Sequence, residues 1–393
     1  MPKYKIREED NTGTLELGQQ PNVIYVPGAA SEKTAPKMYT SLSAFKADVG
    51  TVYTADDSAL LAMQLLRLGM HVLYQGFVAT EGAISIEEDD WKELEDKNLY
   101  DVRFLTTGAY ACPTNAMIAT AANRGDCIAL IDHPTQATYD VGSIREYFEG
   151  FASATSSKQA DPLAFATGFT PWLTANLSDK DGTAVSKSIP ASFGYLFAYA
   201  RSLQTNPLWK AVAGVFRGVI PELSSVAYVY NNAECEQLQA RASTGEVDLD
   251  EEGDNAGIAI NPIAYRRYNG FAGGFNYVIC GNRTMHVNAG YTIATSFLNV
   301  RLLISELSKA LYNASIVYTF EQNTDVLWAN FSALITPILD NMQAGEGING
   351  YRIDRIPTTK KARLCARVTI VPVEAVEDFE LTISLEDSIE VTE

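Results

Sequence analysis

Residues 127–132, Cys-Ile-Ala-Leu-Ile-Asp, hold five apolar positions in a row. A strand with one wet face alternates apolar and polar residues. A short run with no polar position needs cover on both faces, which is the situation inside an α/β sheet. The stretch before it, Asn115 to Arg124, is rich in small residues and reads as a helix with Thr114 available as its cap. Residues 101–106, Asp-Val-Arg-Phe-Leu-Thr, read as another strand. Strand, helix, strand in this order predicts a βαβ unit, so the fold class is α/β (α+β), with mixed β-sheets flanked by helices.

The rest of the chain extends this pattern. Val23 to Val26 is a β-prone run that Pro27-Gly28 is expected to close with a turn. Residues 56–69 carry Leu60, Leu61, Met63, Leu65, Leu66 and Leu68 in a helical run with Gly69 as C-cap. His71 to Tyr74 reads as a strand and Asp89 to Lys97 as an acidic surface helix. Residues 161–187 read as loop around Pro171-Trp172, Ala191 to Gln204 as helix, and 276–280 as strand. Two amphipathic helices follow, Asn299 to Leu311 and Thr324 to about Met342. The second is expected to turn Trp328, Phe331, Ile335, Ile338 and Met342 inward and to be weakened at Pro337. Arg363 to Val371 and Phe379 to Leu385 alternate, as strands with one buried face do.

A chain of 393 residues is long for one core, and its composition divides it. Residues 1–20 are polar and read as an extended arm. Residues 21–255 form the α/β body, 256–371 a C-terminal α/β domain, and 372–393 an acidic arm. Beyond Pro372 there are eight acids and no base. A β-prone segment that acidic needs a partner, either its own sheet or a neighbour's edge.

Composition removes several function classes. The formal charge is -18, from 48 acids and 30 bases, which argues against nucleic acid as the main partner. Five scattered cysteines with no C-x-x-C read as reduced thiols. No stretch is apolar for long enough to span a bilayer, so no membrane insertion is expected. His71, His133 and His286 show no metal-ligand spacing. Asp248 to Gly253 opens like a calcium loop, but the twelfth position, which needs a bidentate acid, is Ala259. No phosphate loop and no G-x-S-x-G elbow occurs. His133, after Asp132 at a strand end, stands where α/β enzymes place catalytic groups, and also where an ordinary turn histidine stands. No catalytic residue, metal or cofactor is assigned. Basic residues gather at Arg352, Arg355, Lys360, Lys361, Arg363 and Arg367, either as a solvated strand edge or as a face for an acidic partner.

From residue 20 onward the order of segments resembles contractile tail sheath proteins of bacteriophages and related contractile particles. The resemblance is carried by Val23-Ile-Tyr-Val-Pro-Gly28 with Phe45 and Gly50, by Leu65 to Tyr74, and by Arg124-Gly-Asp-Cys-Ile-Ala-Leu-Ile-Asp132-His-Pro134. It continues in Pro171-Trp172, Ile189-Pro190-Ala-Ser and Pro207-Leu-Trp209 to Arg217-Gly218. It ends in Asn261-Pro-Ile with Gly281-Asn-Arg283-Thr284, and in Asn299-Val-Arg301, Phe320-Glu321-Gln-Asn323, Leu327-Trp328 and Gly350-Tyr351. The N-terminal "P-G-V" start of that family is blurred here, and the acidic loop 246–254 is similar to a local insertion. Beside the resemblance stands plain packing: Trp172, Trp209 and Trp328 as core aromatics, Arg283 and Arg301 as salt-bridged braces, and Gly214 and Gly218 as sites of close approach.

The resemblance implies a non-enzymatic structural subunit. Copies would stack as six-fold rings around a tail tube and contract without nucleotide to drive that tube through an envelope. It implies arms that exchange strands between subunits, through Tyr4, Ile6, Phe379, Leu381, Ile383 and Leu385, and a tube-facing role for the basic cluster. Partners would be further copies, the tail tube protein, and baseplate and tail terminator proteins. The location would be the particle tail, after assembly in host cytoplasm. A non-contracting tube or capsid protein, and an α/β enzyme using Asp132 and His133, are the alternatives. A concave pocket with a shifted histidine at that place would mark the enzyme.

Overall fold

The computed structural model describes residues 22–49, 56–80, 83–134, 138–154, 156, 159, 161–239, 258–270, 274–286, 294–359, 362–373 and 375. The N-terminal half runs β1 (Val23–Ala30), β2 (Lys37–Tyr39), α1 (Leu42–Val49), α2 (Asp57–Arg67), β3 (His71–Thr80), β4 (Ala83–Ile84), α3 (Glu88–Glu93), β5 (Phe104–Leu105), α4 (Thr114–Arg124), β6 (Ile128–Asp132) and α5 (Val141–Glu149). Then come β7 (Ala166–Thr170), β8 (Leu173–Ser178), β9 (Ala184–Ile189), α6 (Ala191–Ser202), α7 (Gly214–Arg217), β10 (Leu223–Val226) and α8 (Asn232–Leu238). The C-terminal part holds β11 (Ile260–Arg267), β12 (Phe275–Ile279), α9 (Leu298–Val317), α10 (Asp325–Ala344), β13 (Ile348–Ile356) and β14 (Cys365–Pro372).

The main sheet has the order β12-β11-β7-β6-β5-β1-β3-β2, with β4 on β3. From β11 to β3 neighbours are parallel, and β12, β2 and β4 add antiparallel edges. Both faces are covered, as the apolar run of β6 demands. Ile24, Val26, Ile128 and Leu130 face α2 and α6, whereas Val23, Tyr25, Ala129 and Ile131 face the side of Trp91 and α4. The expected boundary at 255/256 falls ahead of β11, which pairs with β7, so the sheet of the body runs across it.

Several elements differ from expectation. β1 does not stop at Pro27-Gly28 but continues to Ala30 along β3. β5 pairs only with Ile24 and Tyr25, so on that side no ladder bond is lost at the proline nitrogen. Gly28 is required there, because a Cβ would lie 2.0 Å from the Tyr74 hydroxyl. Thr114 does not cap α4. The cap position is Pro113, and Thr114 lies inside the helix with its hydroxyl donating to the Cys112 carbonyl at 3.2 Å. The helix expected at Asp89–Lys97 is shorter and not wholly superficial, because Trp91 is fully buried.

The largest departure is at 161–187, which is not loop. It supplies β7, and it supplies β8 and β9 of a second sheet ordered β10-β8-β9. In β8 the alternation is plain once seen: Leu173, Ala175 and Leu177 are buried and Asn176 is exposed. Serines, threonines, asparagine and lysine fill the other faces of β8 and β9 and mask the period. This sheet sits on α2, whose Gln64 and Arg67 side chains donate to the Ser178 carbonyl at 2.8 and 2.6 Å.

α9 and α10 run longer than expected. The Thr324 hydroxyl caps α10 by accepting from the Leu327 amide at 3.2 Å, and Pro337 lies within the helix. Its buried line is Leu327, Phe331, Ile335, Leu339 and Met342, with Trp328 and Ile338 only half-buried. Gly345 and Gly347 do more than end the helix. A Cβ at either would run into the Trp209 indole, at 2.7 and 2.9 Å, and the Trp209 indole N–H donates to the Gly345 carbonyl at 2.8 Å.

Candidate assembly surfaces

β13 and β14 form a two-stranded antiparallel sheet apart from the main one. Their register sets two faces. Tyr351 opposite Ile370 and Ile353 opposite Val368 lie on the face that packs on α9 and α10. Arg352 opposite Thr369 and Asp354 opposite Arg367 lie on the outer face. Cross-strand neighbours on one face interact, so one acid sits between two arginines, and the Arg352 Nε to Asp354 contact is 2.7 Å. Arg355 belongs to the other parity and pairs with Asp325 at the start of α10, also at 2.7 Å.

The basic residues are therefore split. Arg352 and Arg367 share the outer face, Arg355 serves the helix junction, and the Arg363 carbonyl accepts from the Asn323 amide at 3.2 Å. Lys360 and Lys361 lie outside the described residues, as do Tyr4, Ile6, Phe379, Leu381, Ile383 and Leu385 and the acidic loop 246–254.

A single hairpin is marginal in water unless something covers it. Here α9 and α10 cover one face. Beside β14 lies an apolar groove of about 430 Å³, lined by Ile304, Leu307, Leu311, Phe331, Val368 and Ile370. Around the turn between α9 and α10 large apolar residues reach solvent: Ile316, Val317, Val326 and the fully exposed Phe320.

α9 is tied to the body by charges inside the protein. Arg103, just ahead of β5 and wholly buried, reaches Glu306 at 2.5 Å, and the ammonium of Lys309 meets Asp101. Arg124 and Asp126 form a further buried pair nearby, at 3.0 Å. Sequence reading missed this cluster. Its signal was present as Glu306 and Lys309, three apart on one face of the helix. Arg283 and Arg301 lie buried against ring faces, and the Arg283 guanidinium also donates to the Ser296 hydroxyl at 3.1 Å. Their guanidinium carbons lie 4.3 Å over Phe297 and 4.2 Å over Phe165. Burial pulls the Arg301 guanidinium down to about 10.

At the carboxyl ends of β5 and β6 a cleft of about 570 Å³ is lined by Tyr110, Cys112, Asp132, His133, Tyr147 and Trp172. This is where open α/β sheets bind ligands. Burial pushes the Asp132 carboxyl up to about 7 and lowers His133. The pocket and the shifted histidine that would mark an enzyme are thus both present. The acids near it are committed to the scaffold, however. Both oxygens of Asp132 accept from Ser192 at the start of α6, the amide at 2.7 Å and the hydroxyl at 2.5 Å. Asp56 caps α2 and accepts from Tyr74 and Tyr110 at 2.6 and 2.7 Å. His133 packs among Tyr139, Tyr147 and Phe148. Among the described residues no cluster of His, Cys, Asp and Glu is suited to a metal ion, and no helix is long and apolar enough to cross a membrane.

No family model and no curated protein matches the sequence. Solved structures do. The chain is similar to the sheath of an extracellular contractile injection system, the PVC sheath complex in its contracted state. Identity is 17%, coverage is 98% of this chain and 98% of that chain, and the TM-score is 0.67. It is also similar to a chain of the six-fold symmetrised anti-feeding prophage baseplate, at 14% identity, 98% and 99% coverage and a TM-score of 0.60. At such identities the likeness carries the fold alone, and the described residues have the mixed α/β fold shared with that contractile-sheath chain.

Proposed function

We propose that the chain is the structural subunit of a contractile tail sheath, stacking as six-fold rings around a tail tube and shortening to drive that tube through a target envelope. The observation that carries this reading is the two-way 98% coverage with a contracted sheath chain, which leaves no large part of either protein without a counterpart. Contraction in this scheme needs no nucleotide. The extended array is a trapped state, and release lets subunits repack with more surface buried. The partners are further copies, a tube protein, and baseplate and terminator proteins. Assembly takes place in host cytoplasm and the product is a particle tail.

The arms are the couplers. β14 ends a two-stranded sheet beside an apolar groove, and the chain leaves that sheet toward a tail with eight acids. A strand added to such an edge gains main-chain hydrogen bonds, and its alternate side chains fill the groove. The acidic tail of one copy then meets basic groups of another. Residues 352–367, or α10, face the tube.

Negative-stain microscopy of the purified full-length chain tests this, alone and with its cognate tube protein, beside variants lacking residues 1–20 or 374–393. Wide hollow tubes from the full chain and monomers from either truncation are the expected result. Monomers in every case, tube protein included, would overturn the reading. The second reading, acid–base chemistry in the Asp132–His133 cleft, rests on the pocket there. Tubes that persist in His133→Ala count for the structural role, whereas loss of a detectable hydrolytic activity in that variant would count for the enzyme.

A further inference from the structure

A further hollow lies at the β12 end of the main sheet. It is an open hollow of about 610 Å³ between α7, α8 and the β11–β12 pair, with Cys235, Cys280, Arg217, Arg266 and Gln239 in its wall. Cys235 is on the buried side of α8, and Cys280 is half-buried immediately after β12, opposite Pro262 of β11. Both thiols are free. The end of α8 is already held to this place, because the Gln239 side chain donates to the Cys280 carbonyl at 2.7 Å.

We propose that Cys235 and Cys280 are a redox-modification site that closes to an intrachain disulfide when the chain meets a small-molecule disulfide, fastening α8 to the end of β12. Both residues line the hollow, the Cys280 thiol reaches the Val278 carbonyl at 3.6 Å, and each thiol is a side-chain hydrogen-bond partner of the other. That bond, the Arg266 guanidinium and the Ala264 amide all favour a thiolate on Cys280, whereas Cys235 is held protonated by the same bond and by burial. This is the division a dithiol needs: an attacking thiolate on the half-buried Cys280 and a resolving thiol on the buried Cys235 beside it. The other buried thiols are unlike it, since burial alone pushes Cys112 up to about 12 and burial first of all takes Cys127 to the same value.

The exchange balances. The Cys280 thiolate attacks one sulfur of the external disulfide, forming a mixed disulfide and releasing one thiolate. That thiolate takes the Cys235 proton. The Cys235 sulfur then attacks Cys280 and displaces the second thiolate. Two protein thiols are oxidised and one external disulfide is reduced. A particle assembled in cytoplasm and released outside passes from reducing to oxidising surroundings. That use of the site rests on the proposed sheath function, whereas the disulfide itself is read on the isolated chain. A chain that closes the bond but never forms tubes would sink the function and keep the site.

The test treats the folded full-length chain with oxidised glutathione, blocks remaining thiols by alkylation and maps peptides without reduction. The expected result is a Cys235–Cys280 linked peptide, no glutathione retained on Cys280, and a higher Tm that reductant reverses. In Cys235→Ser, glutathione should stay on Cys280. In Cys280→Ser, Cys235 should remain unmodified over the same time. Two results would overturn the proposal: glutathione that persists on Cys280 in the unsubstituted chain, or both thiols free while Cys365 is modified. The linked peptide needs no variant, so a substitution that fails to fold leaves the proposal testable.

Discussion

Gly28 shows how a single missing atom shapes the body. The strand passes so close to Tyr74 and Asp56 that any side chain would collide with both, the second at 2.6 Å. Those groups are themselves locked, Asp56 to the amides of α2 and Tyr74 to Asp56. Gly28→Ala should therefore lower stability by about 1–3 kcal/mol, the usual cost of overpacking, read as a lower urea midpoint. Asp132 carries a different expectation. Its folded pKa of about 7 stands above the ordinary carboxyl value of about 4. Between those values the folded chain holds a proton that the unfolded chain has lost. Stability should thus fall as pH rises from about 4 to 7. Asp132→Asn should flatten that part of the profile, and an unchanged slope across the window would show that another group is responsible.

Among the elements, α9 has the heaviest duty. One side buries Leu298, Leu302, Leu303 and Leu307 in the core of the body, and another presents Glu306 and Lys309 to Arg103 and Asp101. Buried ion pairs add little net stability over apolar replacements, but breaking one by halves leaves a charge stranded. Glu306→Leu alone should cost about 3–5 kcal/mol in equilibrium unfolding. Arg103→Met with Glu306→Leu should recover most of that loss. If the double variant is as unstable as the sum of the two singles, the pair is not the coupling that holds α9 to the body.

For the whole molecule, the proposed assembly sets two charge effects against each other. A formal charge of -18 keeps copies apart in solution. In the proposed function the basic residues around β13 and β14 are where an acidic surface would dock. Arg352 and Arg367 share the outer face with a single acid, and Lys360 and Lys361 follow in the connecting segment. Reversing Lys360 and Lys361 to glutamate should weaken co-assembly with the tube protein, and so should Arg367→Glu. The loss should be largest at low salt, since screening removes surface attraction. Co-sedimentation across a salt series reads this directly. Equal co-assembly at every salt concentration would remove the basic face from the interface.

The sequence by itself determined the layers. An apolar run such as β6, as a strand, needs a sheet covered on both faces, and the 3.6-residue spacing of α9 and α10 marks both helices. It did not reveal β8, β9 or β13, because polar residues on their exposed faces blur a two-residue period that only burial makes visible. It placed six basic residues together but not their faces. Strand register decides that, and register sent Arg355 to Asp325 while leaving Arg352 and Arg367 outside. Pairings between distant residues were beyond reach for the same reason. Arg103 and Glu306 stand 203 positions apart, and Cys235 and Cys280 share one hollow only because α8 lies against β11. Periodicity is a local property and can be read locally, whereas contact between remote side chains exists only after the chain has closed on itself.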